Sequence, residues 1–428
     1  MNARRALSLA LASIFLAPAV LAAPAERSST RGRLPRALEP GFIVTPYAAT
    51  GGTPSSLAFG PDTRSGQTLN LQRLYVTDNA GGSVLVIDDE GDVGHPPVVF
   101  ADGFRGPLGV VAAPDGSIYV SDAEAARPGP FGFRPYGRVW RVFDNDGDGV
   151  GDVKYVVLKD LPNGRHNTNG MAFGPDGMLY ITNGNSTDDG IEGGESEVLP
   201  WSGSVIRIRP NLRNVSLAKL PKRTTLIATG WRNVYDLAFS PVDRTRLFVP
   251  MNGIDDARKG STGDNPVDPE LEDSDDLLYA TDIDDKRVDH FGFPSCLYNQ
   301  AERGNLKPYS SPNPDVVADF GACRKSTPRP VSSFGLHTSS DGLAFQRTDD
   351  WGPEHRNDLF VAEWGNLFGP PAGHDVVRVQ LDKTGRKVVS QSRFIDMDTP
   401  LDVAFDRYGA MYVADFSGQI FRVDSIVP

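Results

Sequence analysis

Cysteine is scarce in this chain of 428 residues: Cys296 and Cys323 are the only two. They form no Cys/His spacing of the kind that holds zinc. Excess positive charge is lacking as well. The formal net charge is −12, which sets nucleic acid aside as a partner, because a phosphate backbone needs a basic surface. Beyond the N-terminus no apolar run is long enough to span a bilayer.

The N-terminus itself reads as an export signal covering residues 1–23. Arg4 and Arg5 give the positive start, Ala6 to Leu21 the apolar run, and Val20-Leu21-Ala22 or Ala23-Pro24-Ala25 a small-residue cleavage site. A membrane anchor is the competing reading, but Ser8, Ser13 and Pro18 interrupt the run. Residues 24–40 are polar and rich in Arg, Pro and Ser, and are expected to be a disordered linker. A periplasmic or secreted chain meets oxidising conditions, so Cys296 and Cys323 are expected to pair and close a loop. Two buried free thiols are the alternative.

What the chain has in abundance is turn residues, 45 Gly and 34 Pro, and a phrase that recurs six times. Three copies are nearly complete: Gly109 to Val120, Gly170 to Ile181 and Val403 to Val413. Looser copies begin at Leu57, Leu237 and Leu343. Each is an apolar strand, a Pro/Asp/Gly turn and a second strand. The third apolar residues of the copies are Phe59, Ala112, Phe173, Phe239, Phe345 and Phe405, with gaps of 53, 61, 66, 106 and 60 residues. Four strands fit each gap, and the long one carries an insertion. Alternating segments such as Gly82 to Val86, Gly137 to Val142 and Gly203 to Ile208 supply third strands.

A single blade cannot bury both faces of its sheet, so the copies must stack into a ring. Residues 41–428 are therefore expected to form an all-β, six-bladed β-propeller with four-stranded blades. A seventh, degenerate blade inside the long gap is the other count. The last copy ends after its third strand, and Gly41 to Tyr47 is expected to supply the fourth and lock the ring.

In such a ring the loops leading into the innermost strands converge at one mouth of the channel. Here they contain Arg105, Arg165, His166, Asn169, Trp231, Arg232, Asn233 and His337. Cationic and titratable groups in a concave mouth mark a candidate site. His166 suits a general base, since imidazole accepts a proton near neutral pH. A loop-holding structural role is the plain alternative for each residue.

The stretch His166 to Asn185 resembles the catalytic-histidine segment of the soluble quinoprotein glucose/sorbosone dehydrogenases. So do Gly230-Trp231-Arg232-Asn233, Met251 to Asp256, Phe291 to Pro294, His337 to Phe345 and Asp358 to Gly365, in order. That family is a six-bladed propeller which holds pyrroloquinoline quinone (PQQ) with a calcium ion and cationic side chains. The resemblance implies that His166 is the base, that Arg232 stabilises charge on the quinone oxygen, and that Asn233, Trp231 and His337 help bind the cofactor. The carbonyls of Gly253 and Ile254 would ligate calcium. Three positions depart from the pattern. Asn185 stands where glucose-oxidising members have Asp; an amide orients His166 but stabilises imidazolium less. Asn366-Leu367-Phe368 and Thr399 stand where the family often has Arg. Asn185 resembles the sorbosone-type branch.

A second metal candidate is Asp144-Asn145-Asp146-Gly147-Asp148-Gly149-Val150-Gly151-Asp152. Carboxylates at relative positions 1, 3, 5 and 9 with Gly at 6 match the first part of a calcium loop. The flanks read as strands, so the expectation is a calcium-stabilised hairpin, against an acidic hairpin without metal. Asp273, Asp275 and Asp276 read as a solvated acidic insertion, with a calcium contact near Gly253 as the alternative. Together these features point to an exported enzyme oxidising a small-molecule sugar with PQQ. Electrons would pass to an external acceptor, as the chain has no haem or flavin motif. A calcium-stabilised propeller without PQQ, acting as a lactonase-type hydrolase or a ligand-binding module, is the alternative.

Overall fold

A computed structural model describes residues 34–62, 64, 72–88, 95–124, 127–129, 132–134, 136–186, 200–254, 274–285, 287–299, 307–310, 318, 320–336, 338–366 and 372–426. The export signal, His337, Leu367 and Phe368 lie outside these residues.

Each recurrent phrase becomes the inner hairpin of a blade. The Asp of its turn is the reason the chain reverses there. Asp115 Oδ1 accepts from the amide of Ser117 at 3.1 Å and Asp176 Oδ1 from that of Met178 at 3.1 Å. Asp406 Oδ1 accepts from the amides of Tyr408, Gly409 and Ala410. Such turns mimic a backbone turn with a side chain. The glycine that follows sits in the left-handed region, at φ +85° for Gly116 and +107° for Gly409, where a Cβ would be strained.

Six antiparallel blades result. Blade one runs through Pro54–Pro61, Gln72–Asp78, Ser83–Asp88 and Val98–Ala101. Blade two is Gly109–Ala112, Ile118–Ala123, Tyr136–Phe143 and Val153–Pro162, and blade three Thr168–Phe173, Leu179–Asn183, Ser204–Ile208 and Leu226–Thr229. In blade four the inner strand is broken into Asn233–Val234 and Ala238–Phe239, followed by Arg246–Asn252, Asp276–Asp282 and Ser332–Gly335. Blade five is Ser340–Phe345, Leu359–Glu363, Asp375–Leu381 and Val388–Asp396; blade six is Pro400–Phe405, Met411–Asp415 and Gln419–Ser425. The outer strand of blade six is Phe42–Ala49, paired antiparallel with Gln419–Ser425. The chain start thus closes the ring, as expected.

Blade size departs from four strands. Blades two, three and five each gain a two-residue fifth strand: Val215–Ser216, Asp289–His290 and Arg36–Ala37. These short additions cover outer edges that would otherwise expose unpaired amides and carbonyls. Arg36–Ala37 lies within the stretch expected to be linker and pairs with the outer strand of blade five. Glu39 secures it, bonded to Arg378 Nη1 at 2.9 Å and to His355 Nε2 at 2.8 Å. The long gap holds no extra blade among the described residues. Between the outer two strands of blade four it carries a hairpin, Cys296–Asn299 with Lys307–Ser310, and the helix Phe320–Ser326. Cys296 and Cys323 are disulfide-bonded.

The core is a set of blade-to-blade seams. Apolar clusters occupy every junction, including blade six against blade one, where Leu57, Leu74 and Val76 meet Ala404, Tyr412 and Ile420. One contact recurs. The marker Phe of a blade meets, edge to face, an aromatic on the second strand of the preceding blade: Phe59 with Tyr412, Phe173 with Tyr119, Phe239 with Tyr180, Phe345 with Phe248 and Phe405 with Phe360, at 4.9 to 5.6 Å. At the remaining junction the marker is Ala112, and Tyr75 turns its ring to Phe100 instead, at 5.0 Å. Truncating a buried Phe costs about 3–5 kcal/mol through lost burial and the cavity left. Phe239→Ala is expected to lower the unfolding free energy by about that amount, read from the urea midpoint at unchanged slope.

Candidate active site

The channel walls come from two successive residues at the start of each inner strand. The first is Ser55, Leu108, Asn169, Tyr235, Asp341 or Leu401 in blades one to six, and the second Ser56, Gly109, Gly170, Asp236, Gly342 or Asp402. Asp236 and Asp402 reach into the next blade. Asp402 Oδ2 accepts from the amide of Leu57 at 2.7 Å and Asp236 Oδ2 from that of Leu343 at 3.3 Å. Gly170 and Gly342 make room for them, since a Cβ at either would lie 2.1 Å from the carboxylate. Burial pushes Asp402 up to about 7, and burial with the charge of Asp402 pushes Asp236 well above the usual carboxylate range. Tyr235 crosses the channel from blade four to blade one, its hydroxyl donating to the Ser55 carbonyl at 2.9 Å.

Above this floor lies a cavity of about 350 Å³ built from loops of blades three, four and five. Blade three brings Arg165 and His166, and blade four Arg232, Asn233, Asn252, Gly253, Ile254, Ser274 and Asp276. Blade five adds Ser339, Asp341, Trp364, Gly365 and Asn366. His166 Nδ1 lies 2.5 Å from Asn185 Oδ1. An amide oxygen only accepts, so Nδ1 carries the proton and Nε2 is the acceptor nitrogen of the neutral ring. Asn185 is fully buried, its amide bonded to the Arg232 carbonyl at 2.9 Å and its own carbonyl accepting from the His166 amide at 3.0 Å. This ties the His166 loop to the Arg232 loop. Asn233 Oδ1 accepts from Asn169 Nδ2 at 3.1 Å, which leaves the amide nitrogen as its donor end.

Arg232 is 4% exposed and donates through Nη1 to the Gly253 carbonyl at 2.7 Å. The Ile254 carbonyl accepts from the Ser274 amide at 3.1 Å. Asp276 Oδ1 accepts from the Gly253 amide at 2.6 Å, and Oδ2 from the Ser339 amide and Thr338 Oγ1 at 2.7 and 3.0 Å. Asp275 and Asp276 are thus buried, not part of a solvated loop: Asp275 accepts from Ser333 Oγ, and strand pairing draws Asp276 inward. Asp341 Oδ1 accepts from Asn252 Nδ2 at 2.9 Å. Burial raises Asp276 and takes Asp341 up to about 8.

Trp231 departs from its expected role. It is 1% exposed, stacks on Phe291 at 4.3 Å and lies outside the cavity lining, because its flat face completes the seam between blades three and four. Arg105 is not in the lining, whereas Arg165 is. Thr399 bonds Asp415 through its amide and hydroxyl. Sequence reasoning missed Tyr235 and Asp341. Their signal lies in the repeat register, where they replace residues such as Ser55 and Leu401. The Asp144–Asp152 loop is a hairpin between the outer strands of blade two, remote from the cavity lining, with carboxylate oxygens of Asp144, Asp146 and Asp152 within 4.8 Å of one another. Asp148 Oδ1 instead takes the Val150 amide.

The Asp341 shift has a stability sign. The folded chain keeps this proton up to pH about 8, whereas the unfolded chain releases it near its ordinary value of 3.8. Between those values the unfolded state binds fewer protons, so this group makes stability fall as pH rises and has no further effect above about 8. Asp341→Asn is expected to raise the thermal midpoint at pH 8–9 relative to the parent, with the gain shrinking toward pH 4, measured by calorimetry across pH.

A family model described as a domain of unknown function (DUF7133) matches residues 75–240. An uncharacterized protein of Borreliella burgdorferi is 24% identical over 215 residues, covering 47% of this chain and 49% of that protein, so the match spans about half of the relative. Among solved structures, a carbohydrate-active enzyme of family AA12 from Trichoderma reesei superposes with a TM-score of 0.71 at 17% identity, over 91% of this chain and 97% of that one. The holo PQQ domain of pyranose dehydrogenase from Coprinopsis cinerea gives 0.66 at 15%, over 91% and 97%. The soluble aldose sugar dehydrogenase of Escherichia coli gives 0.62 at 19%, over 90% and 99%. In fold, the chain resembles the PQQ-dependent and soluble aldose sugar dehydrogenases.

Proposed function

We propose that this propeller is an exported sugar dehydrogenase that oxidises an aldose or sorbosone-type sugar with PQQ. The observation that carries the reading is the His166–Asn185 hydrogen bond beside a cavity that also holds Arg232 and Asn233. PQQ, when bound, supplies a quinone able to accept hydride. Arg165, Arg232 and the donor end of Asn233 would hold its acidic groups. Asp341, neutral below pH about 8, does not repel them there.

The neutral His166 ring takes the sugar hydroxyl proton at Nε2. Asn185 keeps Nδ1 protonated and fixes the ring plane, without a full negative charge to stabilise imidazolium. Arg232 donates to an oxygen that gains charge as hydride leaves the sugar carbon. The Tyr235–Ser55 bond closes the channel beneath the cavity. The carbonyls expected to hold calcium fit a cation poorly, since Arg232 and the Ser274 amide already engage them. Lactone hydrolysis is the weaker reading. Among the described residues, the three carboxylates close enough to share a metal ion are in the blade-two hairpin, not the cavity.

His166→Ala is expected to lower PQQ-dependent dye reduction by about 10²–10⁴-fold. Asn185→Asp is expected to move the acid limb of the pH–rate profile upward by about 1–3 pH units, because a carboxylate stabilises imidazolium. An unshifted limb would remove His166 as the base.

The blade-two hairpin is proposed to bind a structural calcium ion through Asp144, Asp146 and Asp152. At a hundredfold excess over Kd, calcium would then add about 2–3 kcal/mol of stability. Asp146→Asn with Asp152→Asn is expected to abolish the calcium-dependent rise in thermal midpoint.

A further inference from the structure

The floor of the cavity presents oxygen atoms that a hard cation would want, and nearly all are already committed. The Gly253 carbonyl accepts from Arg232 and the Ile254 carbonyl from Ser274. Both oxygens of Asp276 are taken, Oδ1 by one backbone amide and Oδ2 by an amide and a hydroxyl. Asp341 accepts from Asn252 and from Ser339 Oγ, at 2.9 and 3.2 Å. Among the described residues, Asn252 Oδ1 is the buried side-chain oxygen of this wall that lacks a donor, and one such side-chain atom falls far short of the six to eight oxygens that calcium takes.

Charge argues the same way. Calcium binds carbonyl oxygen at about 2.3–2.6 Å, and the guanidinium nitrogen is 2.7 Å from the Gly253 oxygen. An ion on that oxygen would sit within about 5 Å of a buried, permanently charged side chain, a like-charge contact in a low-dielectric wall. The guanidinium meets the electrostatic need a cation would serve. Burial raises Asp276 while the nearby guanidinium acts in the opposite direction, and it presents a fork of donors suited to a carboxylate.

We infer that Arg232 replaces the divalent cation at the Gly253 carbonyl, so that the cavity holds a carboxylate-bearing small molecule through guanidinium contacts with no metal bridge. The inference deepens the dehydrogenase reading for the same cavity, and the two can fail separately.

The test uses the full chain, stripped with EGTA, and its Asp146→Asn/Asp152→Asn form, which removes the hairpin carboxylates. Calcium bound per chain is counted by equilibrium dialysis, and PQQ binding is titrated calorimetrically in EGTA and in calcium. The expected result is no calcium retained by the double variant, and PQQ affinities equal within about threefold in the two buffers. Arg232→Met should weaken PQQ by about 10–100-fold, the loss of a charged hydrogen-bond donor, with Arg232→Lys intermediate and circular dichroism confirming that both fold. An ion that survives in the double variant and disappears with Asp276→Asn overturns the inference. So does PQQ binding that requires calcium. Absence of PQQ binding in both buffers defeats the dehydrogenase reading, and the calcium count then decides whether Arg232 excludes the ion.

Discussion

Everything in this structure depends on the seam between one blade and the next. A four-stranded sheet with apolar residues on both faces has no stable existence alone, and the ring satisfies it only when every seam is filled. The marker Phe does this at five junctions by presenting its edge to an aromatic on the preceding blade. The seam between blades six and one is where chain start meets chain end. There Phe42–Ala49 pairs with Gln419–Ser425, and Asp402 bonds the amide of Leu57. Closing a ring by pairing residues so far apart in sequence carries a loop-closure cost. That cost is offset by spreading closure over a strand, an apolar cluster and a buried carboxylate.

The seams also decide where chemistry can occur. Side chains that fill them have no freedom to face the channel, which is why Trp231, next to Arg232 in sequence, is spent on Phe291. Residues at the inner-strand starts are released from seam packing and can vary. Around the ring the larger polar occupants Asn169, Tyr235 and Asp341 fall on three consecutive blades, while Ser55, Leu108 and Leu401 stand at the same position elsewhere. The cavity is accordingly one-sided, built from blades three to five.

The ring and its closing strand were legible in the sequence because the Asp-Gly turn and the apolar marker repeat with the blade. The convergence of His166, Arg232 and Asn233 was legible for the same reason, as all lie just before a marker phrase. Asp276 was not. In sequence it ends an acidic run, and only the pairing of its strand with Ser332–Gly335 turns it into the wall. The engaged carbonyls of Gly253 and Ile254 were equally hidden, since a backbone oxygen has no sequence signature and its partner, Arg232, lies 21 residues away. The short fifth strands left no trace either, being two residues long and set by whichever edge they meet.

The placement of charge ties fold to site. Asp236, Asp341 and Asp402 are buried along the channel and raised by burial, so that wall carries much less negative charge at neutral pH than its composition suggests. Arg232, buried and lining the same cavity as Asp341 and Asp276, cannot lose its proton. A chain of net charge −12 thereby places a charged guanidinium in a cavity beside Asp341, which burial raises to about 8. The same burial that makes the seams stable thus lowers the negative charge along the channel wall.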